Sequence, residues 1–186
     1  SADKLAQNKI INIDNVLQQF MYINRSKERQ YSEGELTTPG VRKYYTVLYP
    51  ELLETPDTLC DKFSKILRIW DKIQSYSIVK LMMKFNENFK LFLISYLFRV
   101  PEDEITESNI TPIVECLLRL FALLEVGDYS YSSRYFKTFL FNENFKLVDE
   151  AYKIEGILED FNKHISSTWK EEDVLTDLME YDKNIL

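Results

Sequence analysis

A chain of 186 residues with 45% apolar side chains is long enough to bury a core of its own, while four glycines and five prolines are too few for the many tight turns of an all-β fold. The net charge is −7, and its whole excess lies in the last fifth: residues 149–186 carry eleven acids against four bases, whereas residues 1–148 carry nineteen of each. Such a tail repels a phosphate backbone; no apolar run nears the ~18 residues of a membrane span and no signal segment opens the chain, so a cytoplasmic, soluble, helical protein is expected.

Apolar spacings of three and four recur along the chain. Ile13, Val16, Leu17, Phe20 and Ile23 line a first helix over residues 5–25, with a restart at Asp14. Residues 26–38 are polar and contain Gly34, which reads as a loop, and Thr38-Pro39 begins a short helix. Thr55-Pro56-Asp57 is a stronger start: threonine as N-cap, proline in the first helical position and an acid facing the helix dipole. Behind it Phe63, Ile66, Leu67, Trp70, Ile73 and Ser77 form a buried stripe.

Residues 78–99 are expected to be helical, and "LFLISYLFR" is so apolar that this helix should be covered on several sides, ending before Pro101. Thr111-Pro112 marks the next start and Gly127 its C-cap, with Ile113, Val114, Leu117, Leu118, Phe121 and Leu124 facing the core. After an aromatic loop, a shorter helix is predicted over 132–141. Another is lined by Ile154, Ile157, Leu158, Phe161, Ile165 and Trp169. Thr168-Trp169-Lys170-Glu171 fits a capping box for a last helix, whose face of Val174, Leu175, Leu178, Tyr181, Asp182 and Ile185 still runs at Leu186. The whole reads as an irregular all-α bundle of about seven or eight helices over residues 1–186, with 1–104 and 105–186 as candidate sub-parts, cut from a larger protein.

"FNENFKL" occurs twice, at 85–91 and 141–147. The flanks differ and a repeat architecture needs three or more copies, so this is read as local reuse.

Few residues could carry turnover. His164 is the single histidine, which leaves too few ligands for a mononuclear zinc site or an HNH centre. Asp160 lies four residues before it and would supply half a metal site without a second half. Asp173, Asp177 and Glu180 share a helix face but lack the facing Glu-x-x-His of a helical di-metal site, and read as a solvated acidic face. Cys60 and Cys116 are far apart and are expected to be buried free thiols. No two glycines lie closer than six residues, so a phosphate-cradling loop is absent from the sequence. No catalytic residue, metal ligand or cofactor is assigned.

Recognition is a different matter. In "GDYSYSSRYFKTF", residues 127–139, Tyr129, Tyr131, Tyr135 and Phe136 interleave with Arg134 and Lys137, a mixture that stacks on bases and pairs with phosphates. A helix start whose aromatics join the core is the competing reading. A second mixed cluster is Arg42, Lys43, Tyr44 and Tyr45, with Arg25, Lys27 and Arg29 nearby.

Taken together, "ITESNITPIVECLLRLFALLEVGDYSYSSRYFKTFLFNENFKL", "FNKHISSTW" and "LMEYDKNIL" within residues 105–186 resemble the helical region of GmrSD-type restriction proteins. Those join a ParB-like NTPase domain to an HNH nuclease domain. The opening "SADKL" is similar to the segment that leaves the ParB-like domain. The resemblance implies a linker or scaffold without a catalytic site of its own, flanked by NTPase and nuclease domains, with DNA as a candidate partner and no membrane. Neither catalytic signature of the family stands in these residues. The rival expectation is a complete small acidic interaction protein, a phage or mobile-element inhibitor that binds a host protein through its acidic C-terminal helix.

Overall fold

The computed structural model describes residues 12–27, 36–83, 87–126 and 132–168, and these are helical with no strand among them. Among these described residues nine α-helices follow in order: α1 Ile13–Arg25, α2 Thr38–Lys43, α3 Glu51–Glu54, α4 Pro56–Ile73, α5 Ser77–Met82, α6 Glu87–Leu97, α7 Glu107–Val126, α8 Ser133–Lys146 and α9 Ile154–Thr168. Together they form the expected irregular all-α bundle. No helix among the described residues is long and apolar enough to cross a membrane.

Local signals set most of the boundaries. Asn12 accepts from Asn15 N at 2.9 Å while Asn15 returns to Asn12 N at 3.2 Å, a reciprocal cap that opens α1 at Ile13. Residues 5–11, which the apolar pattern assigned to this helix, lie outside the described residues. Thr37, one residue before the expected start, caps α2 by accepting from Gly40 N. Thr55 stands at the N-cap of α4 but makes no side-chain cap bond; the start rests on Pro56 at the first position and on the Thr55 carbonyl, which accepts from Leu59 N.

Two boundaries move for tertiary reasons. Pro112 does not start α7 but sits inside it, because Ile110 is buried beside Ile113 and Val114 and recruits one more turn upstream. Thr106 Oγ1 accepts from Asn109 N at that new end, and Thr111 Oγ1 donates to the Glu107 carbonyl next to the missing proline N–H. Likewise α8 runs past Phe141 to Lys146, since Leu140, Phe141 and Asn144 are all buried. Ser77 leaves the expected stripe: it opens α5 and is exposed, its N–H donating to Glu107 Oε1 at 2.7 Å. Thr168, expected to cap a last helix, is instead the final residue of α9, and its Oγ1 donates to the His164 carbonyl at 2.7 Å; Gly127, Trp169 and the rest of that predicted helix lie outside the described residues.

The central position falls to α6, which packs against α1, α4, α7 and α8, while α9 lies on α7. Phe89, Phe92, Leu93, Ile94 and Leu97 are completely buried, as the apolar run implied. One cluster of buried side chains extends from Val16 on α1 to Phe161 on α9, with Trp70 at its interior. Trp70 Nε1 donates to Gln19 Oε1 at 2.8 Å, so the indole is buried without a stranded donor.

A buried polar chain ties α1, α6 and α8 together. Tyr22 donates to the Leu140 carbonyl at 3.0 Å, Asn144 Nδ2 donates to the Tyr22 carbonyl at 2.9 Å, and Ser95 Oγ donates to Asn144 Oδ1 at 2.5 Å. Hydrogen bonds need particular partners where apolar contact does not, so this chain fixes the register of three helices.

Candidate functional site

The recognition row predicted after Gly127 falls partly on α8. Ser132 Oγ accepts from Tyr135 N and starts the helix there. At about 100° per residue, Arg134 lies between Lys137 and Tyr135 on the outer arc and Phe136 points the opposite way. Burial agrees: Phe136 is fully buried, Arg134 is exposed, Tyr135 is 63% exposed and Lys137 is half-buried. Arg134, Tyr135 and Lys137 are thus brought to one surface at a helix start. Tyr129 and Tyr131 lie outside the described residues.

The second cluster does not form. Tyr44 and Tyr45 are buried, and the Tyr45 hydroxyl donates to the Leu17 carbonyl at 2.8 Å. A π-helical turn over Tyr44–Leu48 is the cause: Tyr49 N donates back to the Tyr44 carbonyl, and the widened turn brings both adjacent tyrosines inward. Burial, with Tyr44 second, pushes the Tyr45 hydroxyl well above the usual phenol range. Arg25 is buried too, Arg42, Lys43 and Lys27 are exposed, and Arg29 lies outside the described residues. What remains at this place is a groove of about 370 Å³ between α1, α2 and α3, walled by Leu17, Leu36, Val41 and Leu53 with Asp14 and Arg42 among its polar lining.

Of the two thiols, Cys116 is buried as expected and burial raises its pKa. Cys60 is exposed, a correction: it occupies the outer face of α4, opposite the stripe that Leu59, Ile66 and Ile69 turn inward. His164 does share α9 with Asp160, but its ring stacks on Phe139 at 3.8 Å with an interplanar angle of 9°. Burial there holds the imidazole below its usual pKa. Among the described residues no three His, Cys, Asp or Glu side chains gather as a metal-holding group.

Asp160 is engaged elsewhere, in a constellation that helix periodicity does not announce. Glu143 on α8 is 2% exposed, and its Oε1 accepts from Lys146 Nζ at 2.8 Å. The same ammonium donates to Asp160 Oδ2 at 2.8 Å. Tyr152, in the connection to α9, places its hydroxyl 2.5 Å from Glu143 Oε2 and 2.5 Å from Asp160 Oδ2. Only the Glu143–Lys146 spacing of three was visible beforehand, inside the second "FNENFKL". The partners from α9 and from its connection are tertiary.

Comparison of the chain with protein-family models, with curated proteins and with solved structures finds no match.

Proposed function

We propose that this chain is a helical scaffold segment of a restriction-type protein of the GmrSD kind, acting in defence against foreign DNA, which holds an NTPase domain and an HNH nuclease domain in fixed relation. The observation that carries the reading is the resemblance of residues 105–186 quoted above. Support comes from the architecture: helices α7 to α9 arise from that stretch, and buried polar bonds lock α8 to α1 and α6 in a way suited to transmitting position rather than to turnover. Arg134, Tyr135 and Lys137 offer a surface for DNA or for a neighbouring domain.

The charge of residues 149–186 favours a second reading, in which the chain is a small acidic protein that binds a basic surface of a host protein. Expression of the full natural reading frame in a sensitive host separates the two. Lower plating efficiency of phage with modified bases, lost when residues of the nuclease signature are replaced, supports the scaffold. A frame that encodes these residues without NTPase or nuclease signatures, and that leaves plating unchanged, sinks it.

A further inference from the structure

We infer that Glu143, Tyr152 and Asp160 share a proton between α8 and α9, so that this joint is a latch that closes when Glu143 is protonated and loosens when it ionises. The argument is a proton count. The phenol has one O–H, yet its oxygen lies 2.5 Å from a carboxylate oxygen on each side and 3.4 Å from the Gly156 carbonyl. If it donates to Asp160, it must accept from Glu143, which only the carboxylic acid form can supply. With both acids ionised, one of the two short contacts would join lone pairs.

Which acid holds the extra proton follows from the surroundings. Glu143 is buried, whereas the Asp160 side chain is 30% exposed. From α8 only Lys146 faces the pair with a charge, from the connection Tyr152, and from α9 Asp160 itself with Lys163 behind it. Toward this part of α8, α6 presents the uncharged Ser95 to Asn144. Burial pushes the Glu143 carboxyl up in spite of the bond and the charge of Lys146. Burial opposes the Asp160 charge too, but bonds from Lys146 and Tyr152 and the charges of Lys146 and Lys163 outweigh it and hold that pKa down.

Backbone design serves the same contact. Gly156, in the first turn of α9, lies under the Tyr152 ring so closely that a Cβ there would stand 2.9 Å from Cε2 and 3.1 Å from Cδ2. A side chain at 156 would therefore swing the hydroxyl away from both acids. The sign of the pH effect is fixed by Glu143. Its folded pKa is raised, so its stabilisation is complete below the ordinary glutamate value of 4.5 and is lost as pH rises through the raised value. Asp160, with a lowered pKa, contributes in the opposite sense and fails only as pH falls through its depressed value.

Carbon-detected NMR of the carboxyl groups in the full 186-residue chain, with thermal melts over the same pH series, tests the latch. Glu143 is expected to titrate above the exposed glutamates, and the wild-type melting temperature should fall across that transition. Glu143→Gln, whose amide donates to the Tyr152 oxygen as the acid would, should lose this fall and keep the acid-side melting temperature. Gly156→Ala should bring the Glu143 titration back toward the exposed glutamates if the phenol shares the proton. Glu143 titrating with the exposed glutamates in wild type overturns the inference, as do parallel melting profiles for wild type and Glu143→Gln. Should either variant not fold, the wild-type titration alone decides.

Discussion

Arg99 closes the C-terminal end of α1 by donating from Nη2 to Ser26 Oγ at 2.5 Å, while the Ser26 hydroxyl itself donates to the Ile23 carbonyl at 2.6 Å. The guanidinium also reaches the Ile23 carbonyl at 3.4 Å, and Nη1 donates to Ser95 Oγ at 2.9 Å. One residue thereby caps the end of α1 and joins it to the segment that carries α6. Burial works against its charge and lowers its pKa from the ordinary arginine value, so the cation depends on these acceptors.

Arg99→Met keeps the apolar stem and removes every donor. The expected loss is about 2 kcal/mol, from several modest bonds and a serine hydroxyl left with a poorer environment. Urea unfolding followed by circular dichroism measures it. A midpoint equal to wild type would show that the cap contributes nothing.

Asn144 and Asn142 lie two residues apart on α8, yet they should behave differently. Asn144 is fully buried and bonded to Ser95 and to the Tyr22 carbonyl. Asn144→Ala strands both partners and should cost about 2 to 4 kcal/mol. Asn142 is exposed, so Asn142→Ala should fall within about 0.5 kcal/mol of wild type. Equal effects in the same urea assay would contradict the buried chain.

The sequence carried the helices but not the polar ties, and the two asparagines show why. Periodicity marks Phe141 as inward and, through the spacing of three, Asn144 on the same face. It cannot say that a serine from residue 95 and a carbonyl from residue 22 will meet that amide, because those distances exist only after packing. The two copies of "FNENFKL" make the point again: Leu91 of the first packs in a small cluster with Phe141 of the second, so identical strings take different places. Pro112 misled for a similar reason, since burial of Ile110 outweighs the proline's preference for a helix start. At the candidate site, the interleaving of tyrosines with cations singled out Arg134, Tyr135 and Lys137, which α8 places on one surface, but gave no warning of the π turn that buries Tyr44 and Tyr45.

Trp70→Phe should cost about 2 kcal/mol or more, because the smaller ring leaves a void and Gln19 Oε1 loses its donor. Gln19→Leu in the Trp70→Phe background should recover part of the loss by removing the stranded amide. Denaturant midpoints of the two single variants and the double variant check this, and strict additivity would argue against the bond.

His164 is expected to titrate below 6.5 by proton NMR, since burial beside Phe139 disfavours its cation. A lowered folded pKa means that its contribution is complete above the unfolded value and is lost as pH falls through the folded one. Phe139→Ala opens the ring to water and should move the midpoint back toward 6.5. A midpoint that does not move would assign the shift to something other than the stack.

The exposed row on α8 should bind duplex DNA weakly, and the reason is charge. Arg134 and Lys137 are two cations on a chain whose net charge is −7, so any grip depends on displacing few counterions against an overall repulsion. Arg134→Ala together with Lys137→Ala should weaken what binding there is and lower the slope of log affinity against log salt by about 2, near the limit for two phosphate contacts. Tyr135→Ala should reduce affinity for single strands more than for duplex, since its exposed ring can stack only on an unpaired base. Fluorescence anisotropy over a salt series reads all three changes. Tight binding that survives moderate salt, or binding untouched by the double substitution, would place the contact elsewhere on the protein.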